Sequence, residues 1–482
     1  MATTEDTITE LRQTVAELRR VIEQQHAVIE QLRWENQELK RKLATANKNS
    51  TNSSKPPSSD IVAPAKTKRD RRRRRKIGGQ KGHRRALRQP LPAERVDHVI
   101  EHRFDDQTVQ DRQLTPTGDY QSFQHIELLE LPIRVTESRR HQYRDPEGKL
   151  VYPDAPGWNA GPIFGPRLIT LIGYLKSRCH CSYRTIEALL ADVLELPVSR
   201  GYLAKLCNTV VSQSIADAHE ELKAALPAQR KLGTDESSIK RNGRKHWVWV
   251  LTAATFTVFH IAGSRARRVL EELLGDRFGG SLNYDYYSSN VSFTKNFPAA
   301  AQFCWAHLVR DIRFLTGDPD AEVRQWAEHL LERSRRMFVA WHDRGSMSPD
   351  GFHRSMMTHR GRFLELIDQV PESRAARALA DRFAVVDYTD GTSIDHAWDY
   401  FRFMLHDDLE PTNNHAEQQV RHCVIDRKIT QGTRSAAGER YHERMWSAIA
   451  TCGKQDRNFY DYLLESVTAK LAGRPAPSLL TS

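Results

Sequence analysis

KLGTDESSIKRNGRKHWVWVLTAATFTVFHIAGSRARRVLEELLG, residues 231–275, reads as a set of short strands followed by a helix. Leu232–Thr234 is a short β-prone run that ends at Asp235, and Trp247–Leu251 and Phe256–Ile261 are richer in aromatic and β-branched residues. Such residues suit a pleated, half-buried surface. Arg265–Leu274 predicts a helix, and Gly280–Tyr284 predicts another short strand, ending in Asp285. Strands, a helix and a further strand outline a mixed α/β sheet. Asp235 and Asp285 lie far apart in the chain, but neighbouring strands would bring them together, and a sheet holds side chains rigidly. Two converging carboxylates repel unless a cation lies between them or one takes a proton. Hard oxygen ligands of this kind suit Mg²⁺ or Mn²⁺. Glu417 is the candidate third acid, in EPTNNHAEQQVRHCVIDRK at 410–428, near the start of a predicted helix. It also stands three residues after Asn414, the spacing of a capping box, so both readings stay open. With 61 acidic residues in the chain, composition alone selects no trio.

Around this stretch the chain is long and unevenly charged. Its 482 residues exceed one hydrophobic core and point to two to four domains. The formal net charge is +11, yet Lys66–Arg88 holds thirteen Lys or Arg against the single Asp70, so the rest is close to neutral. A cationic belt of this kind suggests a polyanion at one place, with Lys68, Arg69, Arg71, Arg72, Arg73, Arg74, Arg75 and Lys76 as phosphate contacts. A solubilising linker is the alternative reading of the same run. Six cysteines argue against a disulfide framework, and Cys179 and Cys181 are the only close pair. The polar start is unlike a signal peptide, and no apolar run reaches the ~18 residues of a membrane span. A cytoplasmic protein is expected.

The amino-terminal segment, 1–45, is a heptad helix. Ile8, Val15, Ile22, Ile29, Asn36 and Leu43 occupy one seam position, and Leu11, Leu18, Gln25, Leu32 and Leu39 the other. β-Branched residues at a, Leu at d and one Asn at a favour a parallel two-stranded coiled coil, hence a homodimer. The alternative is a helix packed on its own body. Residues 46–92 predict a disordered basic linker, polar and Pro-containing before the cationic run. HIELLELPIRVTESRRHQYRD, 125–145, has strand character at Ile126–Leu129 and Ile133–Thr136, so 93–160 predicts a small β-rich module. That module has no cysteine, which excludes a cysteine-ligated zinc site, and its His98, His102, His125 and His141 lack compact ligand spacing. Residues 161–228 predict helices. Two of them flank a turn at Leu196–Val198, with Ser199 placed to cap the second, as in a helix-turn-helix. Ordinary helical packing explains the pattern equally well. Arg200 and Lys205 are the candidate outward contacts.

Several separated motifs resemble transposases of the insertion sequence 66 family, a bacterial group with a DDE arrangement of acids. NSSKPPSSD at 52–60 and GGQKGH at 78–83 resemble its amino-terminal region. Asp235-Glu236-Ser237 resembles its DET motif, and Asp285-Tyr286-Tyr287 its SDGY motif. Cys304–His307 resembles the last four residues of RCWAH, Asn413-Asn414 through Glu417 resembles DNNxxER, and Arg427-Lys428 the downstream RK pair. The similarity runs from about residue 30 to about residue 466. The chain departs from the pattern at Ser237 for Thr, Tyr286 for Gly, Phe303 for Arg, Thr412 for Asp and Gln418 for Arg. Asp145 and Gly148 stand where the family's second zinc-binding cysteine pair falls, which implies a metal-free module here.

The resemblance implies a multidomain α/β protein with a ribonuclease H-like core at 229–310 and 401–466, interrupted by a helical insertion at 311–400, and a carboxy-terminal tail at 467–482. VRQWAEHLLERSRRMFVAW and RFLELIDQ read as amphipathic helices of that insertion, in which Trp326, Trp341 and Trp398 are core aromatics or platforms for an unpaired base. Cys304 and His307 make too small a ligand set for structural zinc, so packing behind the active site is expected of them. The implied activity is strand cleavage and strand transfer on DNA. Asp235, Asp285 and Glu417 would hold two Mg²⁺ or Mn²⁺ ions, and Arg427 and Lys428 would meet phosphates, with Lys240, Arg241 and Arg244 beside the cut strand. The implied partners are terminal inverted repeats, target DNA, a second copy and small companion proteins. A relative that binds element ends without cutting them is the alternative.

Overall fold

The computed structural model describes residues 4–46, 91–151 with interruptions, 162–387, 393–406 and 408–480. The cationic run at 66–88, with its eight candidate phosphate contacts, lies outside the described residues, as do the NSSKPPSSD and GGQKGH segments. The chain divides into two compact units, Ala65–Pro156 with Leu190–Leu196, and Met1–Pro64 with Gly157–Leu189 and Pro197–Ser482.

Helix α1, Thr4–Ala46, is unbroken, as 43 residues without Gly or Pro allow. Its seam residues Val15, Leu18, Ile22, Ile29, Leu32 and Leu39 are all exposed on the single chain. Near its end α1 meets the rest of its unit, where Arg41 lies 3.7 Å from Asp318 and 3.8 Å from Asp320. Helices α2, Tyr183–Leu194, and α3, Arg200–Leu206, flank the expected turn. Ser199 caps α3 by accepting from the Tyr202 N–H at 3.3 Å. Arg200 and Lys205 are both exposed, with Arg200 Nε 3.3 Å from Glu187.

The described residues of the smaller unit hold less strand than the sequence suggests for them. Its described residues include a hairpin of two-residue strands, Tyr143–Arg144 with Leu150–Val151, a short α-helix, Asp106–Asp111, and a 3-10 turn, Ala93–Arg95. Ile133–Thr136 forms no strand: Val135 is 84% exposed, so the alternating pattern has no core to face. Of Ile126–Leu129 only Ile126 is among the described residues.

The larger unit is built on five strands: β1 Lys231–Arg241, β2 Arg244–Thr252, β3 Thr257–Ala262, β4 Ser281–Tyr284 and β5 Ala300–Phe303. Their order is β3-β2-β1-β4-β5, with β1–β2 and β2–β3 antiparallel and β1–β4 and β4–β5 parallel. This is a mixed sheet with flanking helices, consistent with a ribonuclease H-like fold. β1 runs seven residues beyond the expected end at Thr234, so Asp235 lies within the strand and not at its tip. The extension is made by Asn242-Gly243, a two-residue turn with φ of 51° and 81°. Both central positions of a type I′ hairpin need positive φ, which Asn-Gly supplies.

Helix α4, Trp305–Leu315, leads into the helices Ala321–His342, Pro349–Asp368 and Arg374–Ala380. The helix at the expected insertion boundary, residue 311, thus begins at Trp305. Trp305 is fully buried, with its ring centroid 5.6 Å from Phe338, 5.3 Å from Phe363 and 5.2 Å from Phe401. Trp326 and Trp341 are buried core residues, while Trp398 lies under the Arg360 guanidinium at 4.2 Å.

Helices α5, Asn414–Thr430, and α6, Ala436–Lys454, cover the sheet. Ile239, Val248, Val250, Phe259 and Ile261 of the strands pack with Val420 and Cys423 of α5 and Trp446 and Ala450 of α6. α6 also closes the edge of β3. Thr451 Oγ1, Ser447 Oγ and Glu443 Oε1 accept from the N–H groups of Thr257, Phe259 and Ile261 at 3.2, 2.9 and 2.6 Å. Four helical residues advance about 6 Å, close to the ~6.6 Å of two strand residues, so acceptors every fourth residue meet donors every second one.

Candidate active site

The pairing of β1 with β4 aligns Lys231 with Ser281 and Gly233 with Asn283. Asp235 lies two residues beyond Gly233 on β1, and Asp285 two residues beyond Asn283, just past the end of β4. Burial raises the Asp235 carboxyl well above its ordinary value, and the negative charges of Glu236, Asp285 and Glu417 raise it further. Asp285 is pushed up to about 7 by burial first, then by Glu236 and Glu417, against the opposing charges of Arg265 and Arg310. Burial also raises Glu417, with Arg310 and Arg421 opposing it. The three acids singled out in the sequence therefore form one electrostatic cluster, and Glu236 is a fourth member that sequence reasoning treated only as part of a motif.

Glu236 has a private counter-ion. Arg265 Nε donates to Glu236 Oε1 at 2.8 Å, and its guanidinium lies 3.4 Å from the Tyr287 ring centroid and 4.7 Å from that of Trp247. Burial raises the Glu236 carboxyl overall, and the Arg265 charge opposes that rise. Glu417 has no such donor: its Oε1 is buried without a hydrogen bond, 3.6 Å from His307 Nδ1 and 3.8 Å from Arg310 Nη2.

The start of α5 is pinned in place, which settles the capping question. The N-cap is Asn413, not Asn414, and its side chain makes no cap hydrogen bond. Asn413 Nδ2 instead donates to the Thr234 carbonyl at 2.7 Å, and its backbone N–H donates to Cys304 Sγ at 3.2 Å. Asn283 of β4 holds the preceding loop by donating to the carbonyls of Glu410 at 2.8 Å and Thr412 at 3.2 Å. Gly233 makes the approach possible: a Cβ there would lie 2.9 Å from Asn413 Oδ1 and 3.0 Å from Thr252 Cγ2. The side chain of Glu417 is thus free of capping duty and faces the acids.

Cys304, His307 and Glu417 each place a potential ligand atom within 4.8 Å of the others. Cys304 is buried, but His307 does not pack away behind the site; it stands beside Glu417. Burial, then the neighbouring Arg310, lower the His307 imidazole to about 4. Two departures from the family pattern meet nearby, since Tyr286 lies edge-on to Phe303 with centroids 5.0 Å apart.

The basic candidates lie elsewhere. Lys240, Lys245, Arg427, Lys428 and Arg434 line a cavity of about 630 Å³ with the Asn242-Gly243 turn. Five residues of strand put Lys240 about 17 Å along β1 from Asp235. Arg427 reaches inward, with Nη1 bonded to the Ser238 carbonyl and 3.1 Å from Ser237 Oγ, so it clamps α5 to β1. Arg241 pairs with Glu439 at 2.8 Å. Gly432, at φ 112°, closes the cavity wall, where a Cβ would lie 2.1 Å from the Lys240 carbonyl oxygen.

Among the described residues no helix is long and apolar enough to cross a membrane. A comparison with curated proteins found no match. Residues 3–89 match the family model described as Family of unknown function (DUF6444). Residues 161–441 match that described as Transposase IS66 family, and this match spans the sheet, all three candidate acids and the helices between them. The chain belongs to the IS66 family of transposases and carries its DDE-transposase-type catalytic domain.

Proposed function

We propose that this protein is an active transposase that binds the terminal inverted repeats of its element and cuts and joins DNA strands by phosphoryl transfer. The observation that carries this reading is that Glu236 and Glu417 both press on Asp235 and Asp285, while Glu417 has a buried oxygen with no hydrogen bond. Negative charge that the neighbouring arginines offset only in part fits divalent cations with oxygen ligands. Asp235, Asp285 and Glu417 would hold two Mg²⁺ or Mn²⁺ ions, which when bound activate the attacking hydroxyl and stabilise the departing oxygen of an in-line displacement.

The chain's own residues do the rest. The sheet and the pinned start of α5 preset the three carboxylates, and Arg265 neutralises Glu236 so that the fourth acid does not add its charge in full. Arg310 contributes positive charge beside Glu417 for a substrate phosphate. DNA is held away from the reacting centre by the exposed Lys428 with Lys240 and Lys245, by Arg200 and Lys205 of the helical pair, and by the basic run before residue 88. The exposed seam of α1 pairs two copies, so that two element ends can be held together in the bacterial cytoplasm, at the nucleoid. Companion proteins of the same element are further partners.

The test is incubation of the full chain with DNA carrying the flanking terminal repeats and Mg²⁺. Nicking at the repeat ends, abolished by Asp235→Ala and by omission of the metal, is expected. Retention of end binding without any cleavage in Mg²⁺ or Mn²⁺ would replace this reading with that of a regulatory relative.

A further inference from the structure

The residues that surround Glu417 make a second, chemically different metal site. We propose that Cys304, His307 and Glu417 bind a borderline-soft divalent ion such as Zn²⁺, and that this ion inhibits the enzyme by taking Glu417 away from the hard-ion centre. The inhibitory part rests on the proposed catalytic role of Glu417; the binding part does not.

The geometry supplies the site. Cys304 is the N-cap residue of α4 and His307 lies in its first turn, three residues on, so both face the same side. Glu417 arrives from α5, and the three ligand atoms lie within 4.8 Å of one another, close enough to converge on one ion after small rotamer changes. Sulfur, imidazole and carboxylate together match Zn²⁺ or Co²⁺ far better than Mg²⁺, which prefers oxygen ligands alone. Three protein ligands leave a fourth, open position, as in reactive and not structural zinc sites.

Two features favour a bound thiolate against the burial that pushes the free thiol up to about 11. The Asn413 N–H already donates to Cys304 Sγ at 3.2 Å, and the sulfur sits at the positive end of α4. Binding exchanges the thiol S–H for an S–metal bond and releases the proton to solvent. One group opposes it. Arg310 Nη2 lies 3.3 Å from His307 Nε2 and 3.8 Å from Glu417 Oε1, so a cation already stands where the ion's charge would act. With Nδ1 on the metal the ring proton moves to Nε2, which can then no longer accept from Arg310. The guanidinium must therefore turn away, and the site is gated by Arg310.

The test uses Co²⁺ as a spectroscopic probe of the full chain. Cys179, exposed, and Cys181, half-buried, are replaced by Ser in every sample, so that they cannot contribute. A near-ultraviolet thiolate-to-cobalt band, displaced by Zn²⁺, is expected. Cys304→Ser should abolish it and His307→Gln should weaken binding by at least tenfold, whereas Arg310→Gln should tighten binding by about tenfold. A band that survives Cys304→Ser, or no band in the parent, overturns the site. If Cys304→Ser lowers the melting temperature, His307→Gln and Arg310→Gln still decide by moving affinity in opposite directions, and equal affinities overturn the proposal. Inhibition of Mg²⁺-dependent cleavage by Zn²⁺, measured as a ratio within each variant, should disappear in Cys304→Ser; inhibition that persists refutes the mechanism. Failure of the parent to cut DNA at all would count against the proposed function and leave the cobalt result standing.

Discussion

Two carboxylates on α5 stand nine residues apart and live opposite lives. Nine residues are two and a half helical turns, so Glu417 and Asp426 project from opposite sides. Asp426 is the more buried, 1% exposed, yet both its oxygens are satisfied: Oδ1 lies 2.8 Å from His180 Nδ1, and Oδ2 accepts from Trp446 Nε1 at 2.6 Å. Glu417 is less buried and has a buried oxygen with no hydrogen bond at all. Burial alone therefore does not mark a functional acid. The distinction is whether the fold has supplied partners for the charge, because a buried charge without them is costly and persists only where something else compensates it.

Glu417→Gln is the sharpest way to break this comparison. It removes a charge that Arg310 and Arg421 offset only in part, so the variant should unfold at the same denaturant concentration as the parent or a higher one. Cleavage of repeat-ended DNA should nonetheless fall by about 10³-fold, equivalent to ~4 kcal/mol of transition-state stabilisation. A variant that lost stability in parallel with activity would place Glu417 with Asp426 among the structural acids.

Asp426→Ala should behave in the converse way. It strands the Trp446 N–H in the core and takes away the partner of His180, and breaking a buried polar pair of this kind costs about 3 kcal/mol. Denaturant unfolding measures the loss directly, and DNA cleavage per folded molecule should stay near the parent's value. An unchanged unfolding midpoint would show that the hydrogen bonds around Asp426 contribute nothing net.

The contrast also explains what could be read from the chain beforehand. Asp235 and Asp285 were legible because each follows a short β-prone run, and Glu417 because its surroundings match a family motif. The length of β1 was not, since ESSIKR reads as polar text, although the Asn242-Gly243 pair that extends the strand was in plain view. Glu236 hid beside Asp235 because its counter-ion, Arg265, is 29 residues away and reaches it only once the sheet forms. The convergence of Cys304 and His307 on Glu417 is tertiary as well: it depends on β5 ending beside the start of α5. Asp426 offered no local signal, because its partners come from residues 180 and 446. Val135 and its neighbours gave a signal that misled, since their alternating pattern is real but meets no opposing layer among the described residues. The α6 acceptors at 443, 447 and 451 were a signal left unread, a four-residue period of small or acidic side chains that only makes sense against a strand edge.

The neighbourhood of Asp426 sharpens the comparison once more through pH. His442 lies on α6 with Nδ1 3.8 Å from Asp426 Oδ2 and its ring 4.6 Å from that of Trp446. Burial, then the charge of Lys176, lower its imidazole from 6.5 to about 4, while Asp426 and Glu443 pull the other way and His180 adds to the lowering. Between those two values the unfolded chain binds a proton that the folded ring refuses. Stability conferred by the neutral ring is therefore complete above about 6.5 and is lost as the pH falls towards 4. The limiting slope for one such group is about 1.4 kcal/mol per pH unit. His422 and His307 are lowered too, so the parent's acid slope is a sum, and the informative quantity is a difference. His442→Phe keeps an aromatic ring against Trp446 and cannot take a proton, so the variant's stability should decline less steeply than the parent's between pH 6.5 and 4, with the two curves running parallel above that range. Parallel curves throughout would mean that His442 titrates alike in the folded and unfolded chains, and that the ring beside the satisfied carboxylate is as solvated as one at the surface.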